Sequence, residues 1–309
     1  MASTHIAAIA EIFRVRREKR LAIQRNWSDV SLDPSLTSLS PQDYAVSVFE
    51  RTSVESFLYH SLVMTLFDRH LDTGMFLRTR DIFDDYFLTC PLPTAYATSN
   101  WPILGMPYAL FRLIVDVATL AKRLPLVNPA DLMLAAQQVE ELGLWEQRLG
   151  IDVAGSPQFD EFIGEARPTS VAAGLYLFVA KILALRLLHS HTLYDEITVP
   201  EITQLYIRRS ISLIKSLDLA GVSFSRFYIW PLTILGCATE EDEDVRIVRE
   251  KLFEIRRSQL GAVGIIDWIR WTIEGIWKKT GRSEDQLGMD GGRKKGGAGL
   301  DMLIQEIGD

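Results

Sequence analysis

The stretch "FYIWPLTILGCATEEDEDVRIVREKLFEIRR", residues 227–257, decides the fold class. Its first part, to Ala238, is an apolar block with none of the period-two alternation of a half-buried strand. Pro231 suits a first helical turn, where its missing N–H has no intrahelical partner to lose. Trp230 before it is a large core anchor. Gly236 inside that helix costs about 1 kcal/mol relative to Ala, which a close helix crossing offsets. Thr239 and Asp242 form a start like a capping box, and the acidic residues Glu240 to Asp244 suit the positive end of the next helix dipole. In that second helix Val245, Val248, Leu252 and Ile255 face inward, while Arg246, Arg249 and Lys251 stay in water. Asp242 and Arg246, four apart, make a pair worth about 0.2–0.5 kcal/mol. Cys237 has Ile234, Leu235 and Ala238 around it and no adjacent base, so it reads as a buried inert thiol.

Helical spacing continues outward in both directions. Ile6, Ile9 and Phe13 recur at helical intervals before the basic run Arg14 to Arg20, which reads as a solvated helix face. Residues 27–53 read as a loop ending in a cap at Thr52-Ser53, followed by a stripe of Val54, Phe57, Leu58, Leu62 and Leu66 in a helix to Leu71. A helix over 76–89 and a proline-broken connector through Pro91, Pro93 and Pro102 follow. Pro107 opens a helix whose inner side carries Leu110, Leu113, Ile114, Val117 and Leu120. Asn128-Pro129 is an N-cap with proline at the first helical position, leading into a helix with Leu132, Ala135, Val139, Leu142 and Trp145 inward. After a Gly-Ser-Pro loop near 155, residues 168–189 form a long, mostly apolar helix expected at the centre of the fold. Helices over 200–217 and through "VGIIDWIRWTIEGIWKK" precede a Gly- and Lys-rich segment and a short terminal helix. With no hairpin signal anywhere, the reading is all-α, with about nine to eleven helices.

Composition narrows the function. The chain has 309 residues, is 48% hydrophobic and carries a net charge of −7, which argues against coating nucleic acid by bulk charge. Two cysteines, Cys90 and Cys237, make neither a disulfide framework nor a cysteine-built metal cluster, and a reducing intracellular compartment is expected. The N-terminus lacks the order of a secretory signal, and Lys181 and Arg186 interrupt the longest apolar run, so no membrane span is expected. Chemical motifs are sparse. Asp81, Asp84 and Asp85 invite comparison with the magnesium-binding helix of terpene synthases, but the order is D-x-x-D-D and the second metal motif is missing. None of the five histidines (His5, His60, His70, His189 and His191) makes a zinc spacing. No nucleophile elbow, phosphate loop or dinucleotide fingerprint occurs. No catalytic, metal or cofactor-binding residue is assigned, and no cofactor is expected. Asp81, Asp85, His60 and His70 are the one weak cluster an enzyme would use.

Four segments then carry a resemblance. "NWPILGMPYALFRLIVDVATLAKR", "LYLFVAKILALRLL", "WPLTILGCATEEDEDVRIVREKLFEI" and "DWIRWTIEGIW" stand in the order and spacing of the fungal-specific regulatory domain. That domain lies C-terminal to a binuclear zinc cluster in many fungal transcription factors. The resemblance covers roughly residues 50–280 and implies a division into an N-terminal basic helix and loop (1–50), the regulatory domain (51–281) and a flexible tail with a short helix (282–309). It implies a nuclear, pathway-specific transcriptional regulator of secondary metabolism or nutrient use rather than an enzyme. It further implies other transcription factors, co-regulators or a homologous zinc-cluster protein as partners, and a small hydrophobic effector whose site is unknown. The family's DNA-binding module needs six cysteines where this chain has two, so direct DNA binding is not expected. The alternative is a ligand-binding or scaffold partner of a zinc-cluster factor, and after it a biosynthetic enzyme reusing the helical pocket. Family members run on past the last Trp-containing helix, so the stop at Asp309 reads as an expected truncation.

Overall fold

A computed structural model describes residues 8–9, 11–16, 18, 19, 22, 48–67, 106–124, 126–149, 168–189, 198–219, 225–258, 263–279, 300, 302 and 303. Among these residues there are eight α-helices of stated bounds, a helical segment at 11–16, one 3-10 turn and no strand, so the fold is all-α. The expected helix over 76–89, the connector after it, the loop near 155 and the Gly/Lys-rich tail lie outside the described residues. The chain divides into two compact units, residues 1–103 and 104–309.

The first unit contains α1, Val48–Phe67. It starts before the expected cap, so Thr52 and Ser53 lie inside the helix rather than at its end. Phe49, Glu50 and Arg51 offer nothing that would stop a helix, and the turn simply continues upstream. It ends at Phe67, short of Leu71. Val54, Phe57, Leu58 and Leu62 are buried as their stripe predicts, and Leu66 is a side chain outside the description. Residues 11–16 are helical too. Phe13 is buried and meets Phe57 edge-on at 5.7 Å, whereas Ile9 is exposed despite its place in the expected stripe. Arg14, first of the basic run, pairs with Glu11 and Glu18 on its own exposed face.

The second unit is assembled around one helix. Its elements are α2 (Tyr108–Ala121), α3 (Pro129–Arg148), α4 (Pro168–His189), α5 (Thr198–Lys215), a 3-10 turn (Ser225–Tyr228), α6 (Ile229–Ala238), α7 (Asp242–Ser258) and α8 (Val263–Lys279). Pro107 caps α2, with Phe111 N–H returning to its carbonyl at 3.1 Å, and the five predicted inward residues are all buried. Asn128 caps α3 as its position demands, its side chain accepting from Ala130 N–H at 3.0 Å. Helix α4 is apolar on every side, which in a folded chain requires cover on every side. That cover comes from α2, α3, α5 and α6. By length and composition Val171–Leu188 would also span a membrane, and 89% of it is buried inside the fold.

The stretch from Phe227 onward makes a second node. Helix α6 starts at Ile229, two residues before Pro231, so the proline sits within the first turn rather than opening it. Lacking an N–H, Pro231 leaves the Phe227 carbonyl without its i+4 donor. The Tyr176 hydroxyl from α4 donates to that carbonyl instead, and the Tyr176 ring stacks on fully buried Trp230 at 5.6 Å. Gly236 supplies the expected close crossing. A Cβ there would stand 3.2 Å from Val248 Cγ1 of α7 and 3.3 Å from Ile273 Cγ2 of α8. Trp277 of α8 donates its indole N–H to the Gly236 carbonyl at 2.8 Å.

Three local expectations change. Thr239 closes α6, donating its hydroxyl to the Gly236 carbonyl at 3.0 Å, and does not cap α7, which begins at Asp242. Arg246 pairs with Glu243 (2.7 Å) and Glu250 (2.5 Å) rather than Asp242, because those two carboxylates bracket it on one helix face. Arg249 and Lys251 are half-buried rather than in water. Arg249 bonds Glu274 at 2.7 Å beside the Trp277 ring, and Lys251 reaches the Leu217 carbonyl at 2.5 Å. The rest of the α7 reading stands: Val245, Val248, Leu252 and Ile255 are buried, and Asp242, Glu243 and Asp244 occupy its first turn.

Two predictions follow from these contacts. Gly236→Val forces branched methyls between α7 and α8 and lowers unfolding free energy by about 2–3 kcal/mol in chemical denaturation. Gly275→Ala on α8, where nothing lies within 4 Å of the new Cβ, raises it by about 0.5–1 kcal/mol through helix propensity alone. Burial, with Glu241 and then Glu243 nearby, holds the Asp244 carboxyl above the usual carboxylate range, and Lys215 opposes them. A raised carboxyl is favoured in its protonated form by folding, so the contribution of Asp244 to stability is full at low pH and is lost as pH rises from 3.8 through the raised value. Asp244→Asn therefore raises the melting temperature at pH 7, and the gain over wild type shrinks toward pH 3.

Candidate functional site

Polar groups inside the second unit are few, and the strongest group of them lies where three helices meet. Glu146 is in the last turn of α3, Lys181 at the middle of α4, and Tyr206 at the middle of α5. Lys181 Nζ donates to Glu146 Oε2 at 2.5 Å, and the Tyr206 hydroxyl donates to the same oxygen at 3.3 Å. The ammonium lies 4.8 Å from the centre of the Tyr206 ring. Lys181 and Glu146 are only 8% and 9% exposed. At that depth each charge carries a desolvation penalty of several kcal/mol, which the partner charge and its hydrogen bonds must offset. Gly143, one turn before Glu146, keeps the flank bare: a Cβ there would stand 3.7 Å from the ammonium. Gln138 Oε1 and Ser210 Oγ, on α3 and α5, are also buried and have no hydrogen-bond partner.

Chemically the cluster is a neutralised pair with a phenol. The Lys181 ammonium donates to the Glu146 carboxylate and is 8% exposed, so it is not presented to solvent as an amine nucleophile. An open depression of about 700 Å³ lies elsewhere, lined by Glu201, Ile202, Gln204, Leu205 and Arg208 of α5 with Glu241. It offers mixed charge and two aliphatic side chains, and no histidine or cysteine.

Of the residues singled out from sequence, only Cys237, His60 and the backbone of His189 are among the described residues. Cys237 is 1% exposed inside α6, in keeping with an inert thiol. His60 is exposed on α1, and its Nδ1 contacts the Ser56 carbonyl of its own helix at 2.6 Å. His189 ends α4, where only its backbone is described. Asp81, Asp84, Asp85, His70, His191 and Cys90 lie outside the described residues. Among the described residues no three His, Cys, Asp or Glu side chains are grouped to hold a metal ion.

Glu146 and Lys181 were missed as a pair. Lys181 registers in the sequence only as a break in an apolar run, and its partner is 35 residues away. A signal did exist: Glu146 falls one turn after inward-facing Leu142, so it shares the buried side of α3. Removing one member tests the assignment. Lys181→Met strands the Glu146 carboxylate and costs about 3–5 kcal/mol, whereas Lys181→Met with Glu146→Leu recovers most or all of that loss in urea denaturation. Equal losses in the single and double variants would show that shape, not charge pairing, governs the position.

No curated protein and no solved structure matches the chain. One family profile does match, over residues 4–288, under the description "Fungal specific transcription factor domain". It takes in every helix described above, from residues 11–16 to α8, together with the Trp230-Pro231 start and the Gly236 crossing. By that match the chain belongs to the fungal-specific transcription factor domain family.

Proposed function

We propose that this protein is a nuclear, pathway-specific transcriptional regulator that acts through its helical regulatory domain, residues 51–281. The observation that carries the reading is the family match across residues 4–288. Residues 1–309 contain two cysteines and so do not hold a six-cysteine zinc cluster. DNA contact is therefore supplied from outside these residues, and we assign it to a homologous zinc-cluster partner or a co-regulator bound to the helical domain. A small hydrophobic effector and a role in secondary metabolism or nutrient use belong to the same reading. No enzymatic step is assigned.

Deleting the gene and profiling transcripts under inducing conditions tests the role, with a coherent set of genes expected to change. An unchanged transcriptome in every condition overturns it. Affinity purification from nuclear extract tests the partner, and recovery of a six-cysteine zinc-cluster protein is the expected result.

A further inference from the structure

Exposed apolar side chains are ordinary when they stand singly. On the outer face of α7 and α8 they are gathered. Trp271 is 75% exposed and Trp268 42%, three residues apart on α8, and Phe253 on α7 is 39% exposed. The inner face of α8 is already filled by Ile266, Ile269, Ile273, Ile276 and Trp277, and the Trp271 indole stands outside it. Helical geometry orders the rest around α8. Arg270 lies nearest α7, then come Asp267, Trp271 and Trp268 in turn.

The charges around these rings are unbalanced. The guanidiniums of Arg270, Arg257 and Arg256 lie 4.8, 5.4 and 6.0 Å from the centre of the Phe253 ring. Asp267 pairs with Arg256 at 2.6 Å and lies 3.8 Å from Arg270. Arg257 contacts the Phe253 ring and, among the described residues, makes no ion pair. Two guanidiniums thus share one carboxylate beside a third that has none, on a chain whose net charge is −7. Beyond Trp271 on the same stripe, Gly275 has open space above it. Lys278 and Lys279 extend the positive charge at the end of the helix.

We propose that this face docks an acidic amphipathic helix of a partner protein. Its apolar side chains would rest on Trp268, Trp271 and Phe253, and its carboxylates would meet Arg256 and Arg257. Trp and Arg are the residue types that dominate interface energetics, and an aromatic strip along one helix matches the i, i+4 anchors of a docked helix. A nucleic acid fits less well. Asp267 lies at the centre of the face, and the acidic chain as a whole repels phosphate. The inference rests on this face alone and not on the promoter role.

The full chain is titrated into a fluorescent synthetic peptide of roughly four helical turns, with Asp and Glu on one face and Leu and Phe at i, i+3, i+4 and i+7. Saturable binding that weakens as salt is raised is expected, because the guanidinium–carboxylate pairs lie at the surface. Trp271→Ala and Arg257→Glu each weaken it by about tenfold or more. Both side chains are exposed, so melting curves should match wild type and separate lost docking from lost folding. A peptide with Lys in place of every Asp and Glu is expected not to bind. Absence of saturable binding, undiminished binding by Trp271→Ala, or tighter binding of duplex DNA than of the acidic peptide overturns the proposal.

Discussion

Everything in the second unit depends on a helix that has no outer face. Helix α4 runs through residues 171–188 with apolar side chains on all sides, and an isolated helix of that kind has nowhere to stand in water. Its burial against α2, α3, α5 and α6 removes that surface from solvent, at about 1.5–3 kcal/mol for each large aliphatic side chain. The neighbouring helices then divide into those with a wet side and those without. Helices α2, α3, α5 and α7 present charged residues outward, whereas α6, one layer away, is buried along its whole length.

A helix so placed leaves little tolerance for charge, and Lys181 shows how the fold accommodates one. The ammonium is met by Glu146 and bounded by the Tyr206 ring, and all three come from different helices. Such a pair ties α3, α4 and α5 into one register, because an apolar neighbour in place of either charge would leave the other unpaired. The same logic works through the backbone at Pro231. Removing one N–H frees the Phe227 carbonyl, and Tyr176 of α4 uses it to fix the start of α6. A missing hydrogen bond within one helix thereby becomes a hydrogen bond between two.

The family assignment and the packing are two descriptions of one feature. Trp230 stacks on Tyr176, Gly236 admits Val248 and Ile273, and Trp277 returns to the Gly236 carbonyl. These contacts join α4, α6, α7 and α8 through residues spread from position 176 to position 277. The chain's most recognisable segment is therefore an assembly point of these four helices. Trp271 shows the complementary case, since its indole stands 75% exposed on the side of α8 away from Ile269, Ile273 and Trp277.

The sequence by itself determined the helices and their inward sides wherever the cause was local. The Asn128-Pro129 cap, the bounds of α4 and the buried stripes of α2 and α7 depend on neighbours within one or two turns, and each was legible. Tertiary structure alone decided partner choice. Arg249 leaves water for Glu274 of α8, and Lys251 leaves it for the Leu217 carbonyl. Glu146 finds Lys181 across 35 residues for the same reason. Side chains within reach of several partners are assigned by where the helices come to rest, and that depends on the sum of the packing rather than on any local pattern.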